Sequence, residues 1–135
     1  MDKANILIID DEETICEIFS KILQEEGYTV YTAVDGRKGL KIVRERTIDI
    51  VLLDIKMPKL DGIEILKRIK GSDGDTVVIV ITGYGTITLA KEAMKLGAFD
   101  FVTKPFDLNY VKSLIKEGLQ LRAPEIHKAG GPVFQ

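Results

Sequence analysis

The chain has no tryptophan, one cysteine (Cys16) and one histidine (His127) among its 135 residues. A single cysteine excludes an internal disulfide and suits a reducing compartment. Cys16 and His127 stand far apart with no further Cys or His between them, so no zinc site of ordinary spacing is available. Cys16 reads as a helix residue at the edge of the core, and His127 as an exposed tail residue. No apolar stretch approaches the ~18 residues that a membrane span requires. Residues 1–5 (MDKAN) lead directly into a short apolar run, without the hydrophobic region of a signal peptide. A cytoplasmic location is therefore expected. Nor is there a surplus of positive charge: 19 Lys and Arg face 21 Asp and Glu, for a formal net charge of −2. Direct binding to nucleic acid or to an anionic membrane is not expected of such a segment. The stretch GSDGD at 71–75 lacks the G-x-x-x-x-G-K-[ST] pattern of a nucleotide-binding loop and reads as a turn.

What is present is an alternation. Four short, nearly unbroken apolar runs occur at 6–9 (ILII), 28–33 (YTVYTA), 49–53 (DIVLL) and 76–81 (TVVIVI), with a weaker fifth at 99–102 (FDFV). Runs that are apolar at successive positions suit parallel strands covered on both faces. Helix-period segments separate them. In 13–26, Ile15, Ile18, Phe19, Ile22 and Leu23 form one stripe, and Gly27 supplies a left-handed stop. Further helices are expected after Asp35, Gly62, Thr86 and Asp107, the last carrying Val111, Ile115 and Leu119 before the pattern fades near Arg122. The expected fold is α/β, a (βα)5 doubly wound parallel five-stranded sheet. A chain of this length buries roughly two-thirds of its unfolded surface, enough for one core. Residues 1–121 are expected to form the domain. Residues 122–135, largely APEIHKAGGPVFQ, have a Pro, a Gly pair and no periodicity, and read as a linker or C-terminal tail.

In an open parallel sheet, ligands bind beyond the carboxyl ends of the strands. The residues there are unusually polar: Asp10, Asp11 and Glu12 after the first strand, Asp54 after the third, Thr82 after the fourth, and Lys104 with Pro105 after the fifth. Each acid could simply cap the next helix, and Lys104 could merely extend to solvent. Taken together they are harder to explain so, because caps require one acid per helix. At ~4 Å and an effective dielectric of ~20, each like-charged pair costs on the order of 4 kcal/mol. Positive charge is required, and an all-oxygen donor set suits a hard divalent cation such as Mg2+.

With those residues in place, the segments ILIIDDE (6–12), IVLLDIKMPKLDG (50–62), VVIVITGYGT (77–86) and GAFDFVTKPF (97–106) resemble the receiver domains of bacterial two-component response regulators over roughly residues 3–121. The resemblance implies the flavodoxin-like strand order 2-1-3-4-5. It makes Asp54 the phosphoryl acceptor, with Mg2+ held by Asp10, Asp11, Asp54 and the backbone carbonyl of Lys56. Thr82 would hydrogen-bond one phosphoryl oxygen and Lys104 pair with another, and the Lys104–Pro105 peptide would be cis, as in the family. Thr82 and Phe101 would form the switch, remodelling the face made by the fourth helix, fifth strand and fifth helix. Phe101 stands where the family often has tyrosine; the alternative for it is plain core packing. Lys56 and Tyr84, each two residues beyond a site residue, are expected to tune dephosphorylation toward a phosphorylated state lasting minutes or longer. A sensor histidine kinase is the implied partner. The stretch from Thr82 to Phe106 is most similar to receivers of the nitrogen-regulation class, which precede an ATPase module and a DNA-binding module. A homodimer through the fourth helix, fifth strand and fifth helix is plausible on the same ground. Such a domain catalyses only its own phosphorylation and dephosphorylation, and is not an enzyme in the usual sense.

Three other readings compete. A stand-alone phosphorelay intermediate would pass its phosphoryl group to another protein's histidine. An aspartate-nucleophile phosphatase would require a second acid two residues after the nucleophile, where Lys56 stands. A flavodoxin-like carrier would require a Ser/Thr/Gly-rich loop after the first strand, where DDEE stands.

Overall fold

The computed structural model describes residues 4–55, 62–83 and 85–130, with side chains described as far as residue 121. Five strands alternate with five helices: β1 (Asn5–Ile9), α1 (Glu13–Glu25), β2 (Thr29–Ala33), α2 (Gly36–Glu45), β3 (Ile50–Leu53), α3 (Gly62–Ser72), β4 (Val77–Thr82), α4 (Ile87–Lys95), β5 (Asp100–Thr103) and α5 (Leu108–Gly130). The strands form one sheet in the order β2-β1-β3-β4-β5, all pairs parallel. Each expected strand is found within a residue or so of its apolar run.

Because strand side chains alternate between faces, each inner strand feeds two cores. Ile6 and Ile8, Ile50 and Leu52, and Ile79 and Ile81 face α1 and α5, where they meet Phe19, Leu23, Val111 and Ile115. Leu7 and Ile9, Val51 and Leu53, and Val78 and Val80 face α2, α3 and α4, where Leu40, Leu66, Ile69 and Ala93 cover them. The helices are punctuated as their sequences require. Gly27 closes α1 with a φ of 98°, a conformation that costs glycine little. Asp35 caps α2 by accepting from the Lys38 backbone N–H at 2.8 Å, and Thr86 caps α4 by accepting from Leu89 at 3.1 Å. Gly62 starts α3 where a Cβ would collide with the Ile55 backbone, so the helix can come this close to the end of β3 only with glycine there.

One segment differs from expectation. Helical backbone continues through Pro124 to Gly130, beyond the point where the apolar stripe fades. The stripe reports burial rather than backbone conformation, so its loss did not mark the end of the helix.

Candidate functional site

The site residues occupy the first positions after the strands, and the sheet's own hydrogen bonding puts them there. The backbone N–H of Asp10 donates to Ala33 O at 3.0 Å, that of Asp54 to Ile9 O at 2.9 Å, and that of Lys104 to Thr82 O at 2.8 Å. Each bond extends the parallel ladder one step past its strand, so these residues form one row at the carboxyl edge.

Along that row, Asp10, Asp11 and Asp54 each offer a carboxylate oxygen, and all three oxygens lie within 4.8 Å of one another. Asp10 and Asp54 are buried, whereas Asp11 is exposed. Burial pushes the Asp10 carboxyl above its ordinary pKa, against the lowering effect of the Glu12 N–H and of Lys104. The positive charge that the acids require comes from Lys104, whose Nζ lies 3.0 Å from Asp10 Oδ2, 3.2 Å from Glu12 Oε1 and 3.3 Å from Asp54 Oδ2. Burial favours loss of the Lys104 proton, but the bond and charge of Asp10, the charge of Asp54 and the bond to Glu12 outweigh it and hold its pKa above the usual lysine value. The three ammonium protons thus meet three carboxylates.

The capping alternative fails at α1. Glu12 occupies the N-cap position without a side-chain cap bond. Its backbone N–H instead donates to Asp10 Oδ1 at 2.9 Å. The β1–α1 turn thereby fixes the Asp10 carboxylate and leaves the Glu12 carboxylate for Lys104.

Thr82 ends β4 and is fully buried. Phe101 is half-buried on β5, paired in register with Val80, and packs against the core under α2, α3 and α4. The Lys104–Pro105 peptide is cis. Just beyond it the Phe106 ring stacks on Phe19 of α1, with centroids 5.3 Å apart and planes 11° from parallel. Cys16 is buried beneath the site, its Sγ donating to Asp10 O at 3.4 Å, and burial pushes its thiol pKa up to about 11. Lys56 and Tyr84 lie outside the described residues. Two features escaped sequence reading. Glu12 was visible only as a third acid, with nothing to show that it turns toward Lys104. The Phe19–Phe106 stack joins residues that no local pattern connects.

An all-oxygen set of three carboxylates at one edge, whose charge the single Lys104 ammonium only partly offsets, fits a hard divalent cation. The donors exclude a soft-metal centre, since the nearby thiol is protonated and turned toward a carbonyl.

The family described as response regulator receiver domain matches residues 6–116. Sporulation initiation phosphotransferase F of Bacillus subtilis (strain 168) is 39% identical over 123 residues, covering 91% of this chain and 99% of the relative. Regulatory protein AtoC of Escherichia coli (strain K12) is 38% identical over 118 residues, 87% of this chain; the chain spans about a quarter of that relative's length, 26%. Among solved structures, the beryllofluoride-activated NtrC4 receiver domain dimer superposes with a TM-score of 0.82 at 39% identity, covering 87% of this chain and 98% of that one. No helix among the described residues is long and apolar enough to cross a membrane.

Proposed function

Because the chain belongs to the response regulator receiver family of two-component systems, we propose that Asp54 accepts a phosphoryl group from a sensor histidine kinase and that the acyl phosphate so formed switches the domain. The observation that carries this reading is the convergence of Asp10, Asp11 and Asp54 around the Lys104 ammonium at the carboxyl edge of the sheet.

An Asp54 carboxylate oxygen attacks phosphorus in line, and the bond from phosphorus to the donor's imidazole nitrogen breaks as the new P–O bond forms. Lys104 gives up a carboxylate partner to pair with one phosphoryl oxygen, and the Thr82 hydroxyl donates to another. Asp10, Asp11 and Asp54, with the Lys56 carbonyl that the family resemblance adds, would hold Mg2+, which would supply the remaining charge neutralisation. Water later cleaves the acyl phosphate, returning Asp54 and inorganic phosphate. Lys56 and Tyr84 govern that step, giving a phosphorylated state that lasts minutes or longer. A half-life of seconds in purified protein would refute this, and Lys56→Asn is the variant to compare.

Thr82 and Phe101 transmit the change to the α4-β5-α5 face. Ile87, 76% exposed, Met94 and Tyr110 are exposed on its two helices, which supports a homodimer there. The receiver occupies residues 1–121, with 122–135 as a linker or C-terminal tail. We place it in the cytoplasm, ahead of an ATPase and DNA-binding output, on its similarity to receivers of the nitrogen-regulation class; the matched part is about a quarter, 26%, of the length of AtoC. The near-complete coverage of the Bacillus phosphotransferase favours a second reading, in which the phosphoryl group moves on to another protein's histidine. Phosphate-dependent dimerisation supports the first, and transfer to a histidine phosphotransfer domain the second.

The deciding experiment is intact-protein mass after incubation with a small acyl phosphate, with and without magnesium, on wild type and Asp54→Ala. A magnesium-dependent gain of one phosphoryl group in wild type alone is expected. No gain under any condition would overturn the acceptor role.

A further inference from the structure

The Lys104 ammonium has three protons and three carboxylate partners, and these partners differ in kind. Asp10 and Asp54 are buried members of the acidic cluster. Glu12 is neither the acceptor nor a member of the three-carboxylate set, and its side chain is 62% exposed. Its carboxylate forms no cap on α1. Among the described residues its bond to Lys104 is its only side-chain ion pair or hydrogen bond. The Glu12 backbone, by contrast, is anchored: its N–H donates to Asp10 Oδ1, and its carbonyl accepts from Cys16 at 3.2 Å.

We propose that Glu12 is a positioning residue that holds the Lys104 ammonium in a resting place bridging the β1–α1 turn and the end of β5, and that phosphorylation must break this hold. The inference rests on the acceptor reading of Asp54 and extends it. Lys104 is saturated, so it takes on a phosphoryl oxygen only by releasing a carboxylate. The exposed Glu12 pair is the one released at least cost, because water resolvates its carboxylate directly. Glu12 therefore sets how readily Lys104 becomes available.

The reach of the side chain separates holding from simple charge. Glu12→Gln removes the charge. Glu12→Asp keeps it but shortens the side chain by a methylene, so that its carboxylate falls short of Nζ. Phosphorylation rates are measured with a small acyl phosphate at saturating magnesium and low salt. Both variants should be faster than wild type by roughly two- to fivefold, the range of an exposed ion pair. The difference should shrink as salt rises. Independently of activity, NMR of the metal-free protein follows exchange of the Lys104 ammonium protons with water, which should quicken in both variants. Unchanged exchange in Glu12→Gln, or wild-type rate and exchange in Glu12→Asp, would overturn the proposal. Failure of wild type to gain phosphate would instead count against Asp54 as acceptor, and the exchange measurement would still decide the role of Glu12.

Discussion

Removing the Lys104 charge tests the electrostatics of the site most directly. In Lys104→Met the side chain keeps most of its length and an apolar stem, while Asp10 and Asp54 face each other without the ammonium between them. With carboxylate oxygens within 4.8 Å, their repulsion at an effective dielectric of ~20 is about 3 kcal/mol. That agrees with the lower end of the ~3–5 kcal/mol observed when one partner of a buried pair is removed. The lower end is appropriate because the Lys104 side chain is 18% exposed. For a domain of this size, a loss of about 3 kcal/mol lowers the melting temperature by about 10 °C. The chain has no tryptophan, so urea unfolding is best followed by far-ultraviolet circular dichroism, in chelator and again in saturating magnesium. The midpoint should fall in chelator with an unchanged m-value. Magnesium should stabilise Lys104→Met more than wild type, since it meets a cluster with no resident cation. A loss below ~1 kcal/mol in chelator, or equal stabilisation of both proteins by magnesium, would refute the assignment of Lys104 as the counter-charge.

Gly62→Ala should destabilise by several kcal/mol, because the new methyl meets the Ile55 backbone rather than a movable side chain; near-wild-type urea stability would show that α3 can shift at no cost. Asp35→Ala should cost about 1 kcal/mol through loss of the α2 cap, read as a fall in the urea midpoint with an unchanged m-value. Cys16 should react with a thiol reagent at pH 8 at least ~100-fold more slowly in the native protein than in urea, because a pKa raised from 9.0 to about 11 leaves far less thiolate and burial adds to the protection. The same shift predicts the sign of a stability change. The unfolded thiol ionises first, so stability falls as pH rises from 9.0 through about 11, and urea midpoints across that window check it. Cys16→Ser should lose that part of the slope.

How much was legible in the sequence follows the range of the interactions involved. The strands were visible because both faces of a covered parallel strand are apolar, and the helices because their stripes and caps are local. Candidate site residues were visible because a βα unit places polar residues just past its strand. The end of α5 was not legible because the fading stripe reports burial, whereas helical backbone runs on to Gly130.

Composition and period, then, determined the layers of this protein and which residues stand at the carboxyl edge, since both depend on neighbours within one turn or one strand. Which of those residues touch was decided by the tertiary structure alone. Lys104 meets Asp10 across 94 positions and Glu12 across 92, and Phe106 meets Phe19 across the same connection. These contacts depend on the register of non-adjacent strands and on the direction in which each side chain leaves its turn. Neither quantity is encoded at any single position, because both arise only when the sheet has closed.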